Sequence, residues 1–271
     1  KVIHIIQLKF RKIDILVRGV VFFFFAFMFL HGSSTFAQVI TNEGASIYVK
    51  PATYVISKDA NNNAGGSLWN YGTINLSGNY TSVATTRGDG TISLTGNWSS
   101  TGGLFFPENS SIIFNGSDDQ SITHDNISFY NLTVNNSGAS ALKRVSISNN
   151  VTVLGTLTMS LGNIDAGTFL FYLNNPLAAA LNYTSTTGSR IFGKFERGIS
   201  EKGTYLFPLG TTAHYNPANL ITNNIPVSGS VLSQFFAADP GSLGLPISDP
   251  PVEIVDQYTS GYWSFQANGG F

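Results

Sequence analysis

The chain has 271 residues, 14 Lys/Arg against 15 Asp/Glu, and no cysteine. That balance excludes the basic face nucleic-acid binding needs, and the missing thiols exclude a disulfide framework. Charged residues make up only 11% of the chain, well under the usual quarter or so, and Asn, Ser, Thr and Gly take their place.

Residues 1–37 read as a secretory signal peptide. Lys9, Arg11, Lys12 and Arg18 form a positive region, Val20–Leu30 is an uncharged apolar run, and Thr35-Phe36-Ala37 supplies a cut ahead of Gln38. A membrane-spanning helix needs about 20 apolar residues; Arg18 and Asp14 stop this run well short of that. The product from residue 38 carries 9 basic and 14 acidic residues. A lipid anchor needs a Cys after the cut, so neither it nor any other permanent membrane anchor is expected. Extracellular or outer-surface location follows. Lys1 at one end and Asn268–Phe271 directly after a strand-like Tyr262–Phe265 at the other suggest a piece of a longer product.

The mature part is rich in Thr, Val, Ile and aromatic residues, which favour strands, and shows no helical apolar stripe. An all-β fold follows: a parallel β-solenoid, or β-helix, of short coils, then a small β-sandwich-like region. Residues 38–64 read as a cap or lead-in strands and 65–185 as repeats of about nineteen residues. Gly72–Tyr80 (GTINLSGNY) recurs as Gly90–Trp98 (GTISLTGNW). Aligning Ile74, Ile92, Ile112, Leu132, Val151 and Leu170 gives steps of 18, 20, 20, 19 and 19. Such self-similarity marks stacked coils that bury their apolar faces only against neighbours. An antiparallel sandwich of evenly spaced strands gives similar alternation, but stacking also demands like residues at like positions. Gly78-Asn79, Gly96-Asn97, Asn115-Gly116, Asn135-Asn136 and Gly162-Asn163 read as corners, where positive φ favours Gly and Asn.

After about residue 180 the repeat fades. Residues 190–197 and 203–209 look like the arms of a hairpin. Prolines at 208, 217, 226, 240, 246, 250 and 251 then call for edge strands and loops over 190–271, an incomplete sandwich-like domain covering the solenoid's open end.

The chemistry is sparse. No nucleophile elbow, phosphate loop or His-Glu-x-x-His motif occurs, so no catalytic residue is expected. Asp118, Asp119, His124 and Asp125 form one polar cluster. Carboxylates on adjacent coils would suit Ca²⁺, against the simpler reading of a solvated turn. Glu196 and Glu201 resemble a glycosidase pair but more simply flank a hairpin tip. Trp69, Tyr71, Tyr80 and Trp98 suggest an aromatic ladder for stacking on glycan rings, against corner packing under loops. Two functions follow: a non-enzymatic secreted or cell-surface structural, adhesin-like protein, or a polysaccharide-binding or polysaccharide-degrading β-helix. The expected partners are extracellular glycans or surface proteins, not nucleic acid.

Phe129–Gly138 (FYNLTVNNSG), Val151–Met159 (VTVLGTLTM) and Leu161–Ile164 resemble the β-solenoid repeats of exported surface proteins from gliding-type Gram-negative bacteria. Tyr205–Gly210 (YLFPLG), Tyr215–Pro217 and Tyr262-Trp263 resemble the module after those repeats. The resemblance implies export linked to the type IX secretion system, whose C-terminal sorting domain this sequence does not contain, and implies no activity.

Overall fold

The computed structural model describes residues 38–125, 127–138, 143–224, 228–241, 247–249, 252–254 and 258–269; the export signal expected over 1–37 lies outside them. Strands dominate. The first coil is β1 (Val39–Asn42), β2 (Ser46–Val49) and β3 (Tyr54–Ser57). The second is β4 (Asp59–Asn62), β5 (Ser67–Asn70) and β6 (Thr73–Leu76). The third is β7 (Tyr80–Ser82), β8 (Thr85–Arg87) and β9 (Thr91–Leu94), and the fourth β10 (Trp98–Ser100), β11 (Leu104–Phe106) and β12 (Ser111–Phe114). The fifth is β13 (Gln120–His124), β14 (Ser128–Phe129) and β15 (Asn131–Asn135), and the sixth β16 (Arg144–Ile147), β17 (Val151–Val153) and β18 (Leu157–Leu161). The seventh has β19 (Asn163–Leu173) and β20 (Leu181–Tyr183), and the eighth opens with β21 (Ile191–Ile199). Most strands pair in parallel with their counterparts one coil on, giving a solenoid of about eight turns.

Alternation within each short strand explains the core. In β6 Ile74 and Leu76 are buried while Thr73 and Asn75 face out, as a period of two requires. The register then stacks like on like. Val55, Ile74, Ile92, Ile112, Leu132, Leu157 and Leu181 form one buried ladder. Leu76, Leu94, Phe114, Val134 and Met159 form a second beside it. Each such side chain gains roughly 1.5–3 kcal/mol from burial, and only because both neighbouring coils are present.

The steps along the first ladder are near-regular to Leu132 and then lengthen: Leu132 pairs with Leu157 and Leu157 with Leu181. The even-spacing alignment therefore fails at its last two positions. Val151 lies in β17 and pairs with Phe171; Leu170 lies in β19 and pairs with Lys194. A corner loop can grow without disturbing the ladder, because lengthening a surface loop costs little. The coils also begin earlier than the repeat suggests. β1 and β4 pair in register from Val39 and Asp59, so the stretch read as a lead-in is already solenoid.

The third side of the solenoid is short-lived. β2, β5, β8 and β11 form a four-stranded sheet that ends at β11. In the fifth coil β14 instead pairs with β17, and β17 pairs with the C-terminal half of β19. β19 also pairs with β16 through its N-terminal half, so one long strand with a register shift replaces two sides.

The remaining strands are β22 (Gly203–Phe207), β23 (Ala218–Thr222), β24 (Gly229–Phe236), β25 (Ile247–Asp249), β26 (Val252–Ile254) and β27 (Tyr262–Gly269). The expected hairpin of 190–197 with 203–209 does not form. β21 pairs in parallel with β19 and antiparallel with β24, β24 pairs with β27, and β22 pairs with β23. The solenoid sheet thus runs straight into the C-terminal strands. The β22–β23 hairpin packs across it, burying Tyr205, Phe207 and Leu209; Phe207 meets Phe195 and Phe265 edge-on at 5.8 and 5.4 Å. Arg197 ties this closure together from inside. It is 1% exposed and donates to the carbonyls of Leu206 at 2.9 Å and Ala178 at 2.5 Å. Burial lowers its guanidinium to about 10, still charged at neutral pH.

Candidate ligand-binding face

The coils present three outward sides. The β6 side presents Tyr54, Thr73, Thr91, Ser111 and Asn131 in register, with Ile56, Asn75, Ser93, Ile113, Thr133 and Thr158 beside them. The β7 side presents Thr41, Asn61 and Thr81, then Ser99 and Thr123. The third side differs. There Tyr48 pairs with Trp69, Trp69 with Arg87, and Arg87 with Phe106, an outward column with one rung per coil. Tyr48 is 54% exposed, Trp69 40% and Phe106 45%.

The column is held by its own contacts. The Arg87 guanidinium lies 5.6 Å from the Trp69 ring centre and 5.7 Å from that of Phe106, within reach of a cation–π interaction with each. Tyr48 lies 6.5 Å from Trp69 and 5.3 Å from Tyr71. Glu108 accepts from Arg87 Nε at 2.8 Å and pairs with Nη2 at 2.6 Å, and this bond raises the Arg87 pKa. Glu108 holds a positive φ of 41° just beyond β11, so a turn places its carboxylate one coil back, over Arg87. Beside the column runs a second outward row, Ser46, Ser67, Thr85 and Leu104.

Of the four aromatics expected on a glycan-binding ladder, Trp69 and Tyr71 lie on this face. Tyr80 and Trp98 do not, and this is a correction. They are one rung apart and stack at 4.1 Å, but both are fully buried. Trp98 donates Nε1–H to Ser100 Oγ at 3.0 Å and meets Phe105 and Phe129 edge-on. Tyr80 shares a short hydrogen bond with Thr86 Oγ1, and burial pushes its phenol up to about 12. They fill the core, so no sugar reaches them. Tyr48, Arg87 and Phe106 were the missed members. Stepping one coil either way from Trp69, 21 or 18 residues, reaches Tyr48 and Arg87, and a further 19 residues reach Phe106.

The acidic cluster is dispersed among separate partners. Asp119 pairs with Arg144 at 3.3 Å, which also bonds Asp165 at 2.9 Å. Asp125 accepts from the Gly102 N–H at 2.6 Å. The main-chain carbonyl of Asp118 accepts from Asn136 Nδ2 at 2.5 Å. Arg144 comes from the next coil, a basic partner that linear spacing hid. His124 is buried, its Nδ1 accepting from the Ile127 N–H at 2.8 Å, and burial lowers its pKa. Among the described residues no three His, Asp or Glu side chains converge as a metal site, and no helix is long and apolar enough to cross a membrane. Glu196 accepts from Ser230 Oγ and, at 3.0 Å, from Asn268 Nδ2; Glu201 accepts from the Ala178 N–H at 3.0 Å.

Comparison with family models, curated proteins and solved structures returns no match.

Proposed function

We propose that this chain is a non-enzymatic, exported structural protein of the cell surface or its surroundings, adhesin-like in using a stacked-coil shaft to display a binding side. One observation carries the reading: of the carboxylates singled out as acid or base candidates, all but Asp118 are engaged in holding the fold. Asp119 is paired with Arg144, Asp125 with a Gly102 amide, Glu108 with Arg87, and Glu196 and Glu201 with hydroxyl, amide and backbone donors. A general acid needs a carboxyl with a perturbed environment and room for substrate. The export signal read at 1–37, the low charge and the repeats support surface location, and the likeness to exported repeat proteins makes type IX secretion the proposed route.

The test is product analysis. Purified protein is incubated with neutral and anionic polysaccharides, and new reducing or unsaturated chain ends are measured. No new ends are expected. Cleavage of any of these polymers contradicts the reading.

A further inference from the structure

We propose that the column Tyr48–Trp69–Arg87–Phe106, with Tyr71 beside it, is a binding site for an uncharged polysaccharide lying along the solenoid axis. The proposal rests on the non-enzymatic reading and adds to it a site and a ligand class.

The site is built rather than incidental. The other two sides repeat mostly Thr, Ser and Asn from coil to coil, with Tyr54 a single exposed ring in the first coil, and among the described coils only the third side stacks exposed large rings in register. Four rungs at about 4.8 Å per coil span about 14 Å, the reach of a few sugar rings. A straight row repeating at a fixed step suits a ligand that itself repeats, and that ligand is a polymer. Exposed rings offer apolar faces to the C–H faces of sugars, and the flanking Ser46, Ser67 and Thr85 supply hydroxyls for orientation. Arg87 braces Trp69 and Phe106 from between, so little side-chain freedom is lost on binding.

The charge is what selects the class. Arg87 is the one charged residue in the four strands of this side, and Glu108 already neutralises it. A nucleic acid or an anionic glycan would need free cations to replace its counterions. Lys50, just past β2, is exposed, but the four strands themselves offer no free cation, and an uncharged chain loses nothing by that.

The experiment is affinity electrophoresis of the full chain in gels containing a neutral β-glucan, a neutral mannan or anionic alginate. The variants are Trp69→Ala, Phe106→Ala, their double, Arg87→Gln, and Thr91→Ala on the hydroxyl side as control. All four positions face outward, and far-UV circular dichroism with urea midpoints verifies the fold of each variant. The expected result is retardation by at least one neutral polymer. It falls at least fivefold in each aromatic single variant, vanishes in the double, and is unchanged in Thr91→Ala. Four results overturn the proposal: no retardation by either neutral polymer; retardation the double variant leaves intact; stronger retardation by alginate that Arg87→Gln removes; or a dimer, by light scattering, that the double variant dissociates. New chain ends in the same samples would instead overturn the non-enzymatic reading, while loss of binding alone leaves that reading standing.

Discussion

Two tryptophans have opposite roles. Trp98 is fully buried against Tyr80, Phe105 and Phe129, so Trp98→Ala leaves a ring-sized void and is expected to cost about 3–5 kcal/mol in urea unfolding. Trp69→Ala removes a half-exposed ring and should stay near ±0.5 kcal/mol. That Tyr80 and Trp98 occupy equivalent places is readable from the repeat; the side they face is not. Each follows a Gly-Asn corner, and a corner resets the in–out alternation that a strand would otherwise propagate. Tyr80 also sets an alkaline limit. Its folded pKa of about 12 stands above the ordinary 10.0 of a tyrosine, so the unfolded chain releases the proton first. Its contribution is complete below pH 10 and is lost as pH rises from there towards 12. Urea midpoints of the wild type should fall above pH 10 more steeply than those of Tyr80→Phe, by about 1.4 kcal/mol per pH unit. Parallel profiles would contradict this.

At the scale of the coil, the corners were legible and their physical reason was not. Of the Gly-Asn corners only Gly162 has a positive φ, 83°. The others are glycine because the coils come too close for a side chain: a Cβ on Gly96 would lie 2.5 Å from Asn79 Oδ1. The asparagines cap the next coil. Asn79 Oδ1 accepts the Asn97 N–H and Asn97 Oδ1 the Ser121 N–H, both at 2.8 Å. The clearest test is Gly90, where a Cβ would meet the Gly72 carbonyl oxygen at 2.5 Å. Gly90→Ala should cost about 1–3 kcal/mol through overpacking; a neutral effect would show that the stack can open. The longer later coils escaped the repeat count for a related reason. Only ladder positions are constrained to match, and the loops between them can lengthen without any signal at the ladder residues, as between Leu132 and Leu157.

At the scale of the molecule, the solenoid is held by contacts between neighbouring coils. Its stability is therefore close to a sum over coils and their interfaces. Removing residues 38–57, the first coil, should leave a cooperatively folded protein with an unfolding m-value lower by about one part in twelve; complete loss of far-UV strand signal would contradict the stacked account. The C-terminal end differs, because β24 and β27 extend the same sheet and the β22–β23 hairpin seals it through Arg197, Tyr205 and Phe207. The shaft as a whole thus presents two largely polar sides, broken by Tyr54, Ile56 and Ile113, and one aromatic column. The most direct test of that arrangement as a non-enzymatic display surface is a crystal of the chain soaked with a neutral β-gluco-oligosaccharide. The account predicts intact sugar rings lying along Tyr48, Trp69 and Phe106 in the direction of the stack. An oligosaccharide bound elsewhere, or found cleaved, would contradict it.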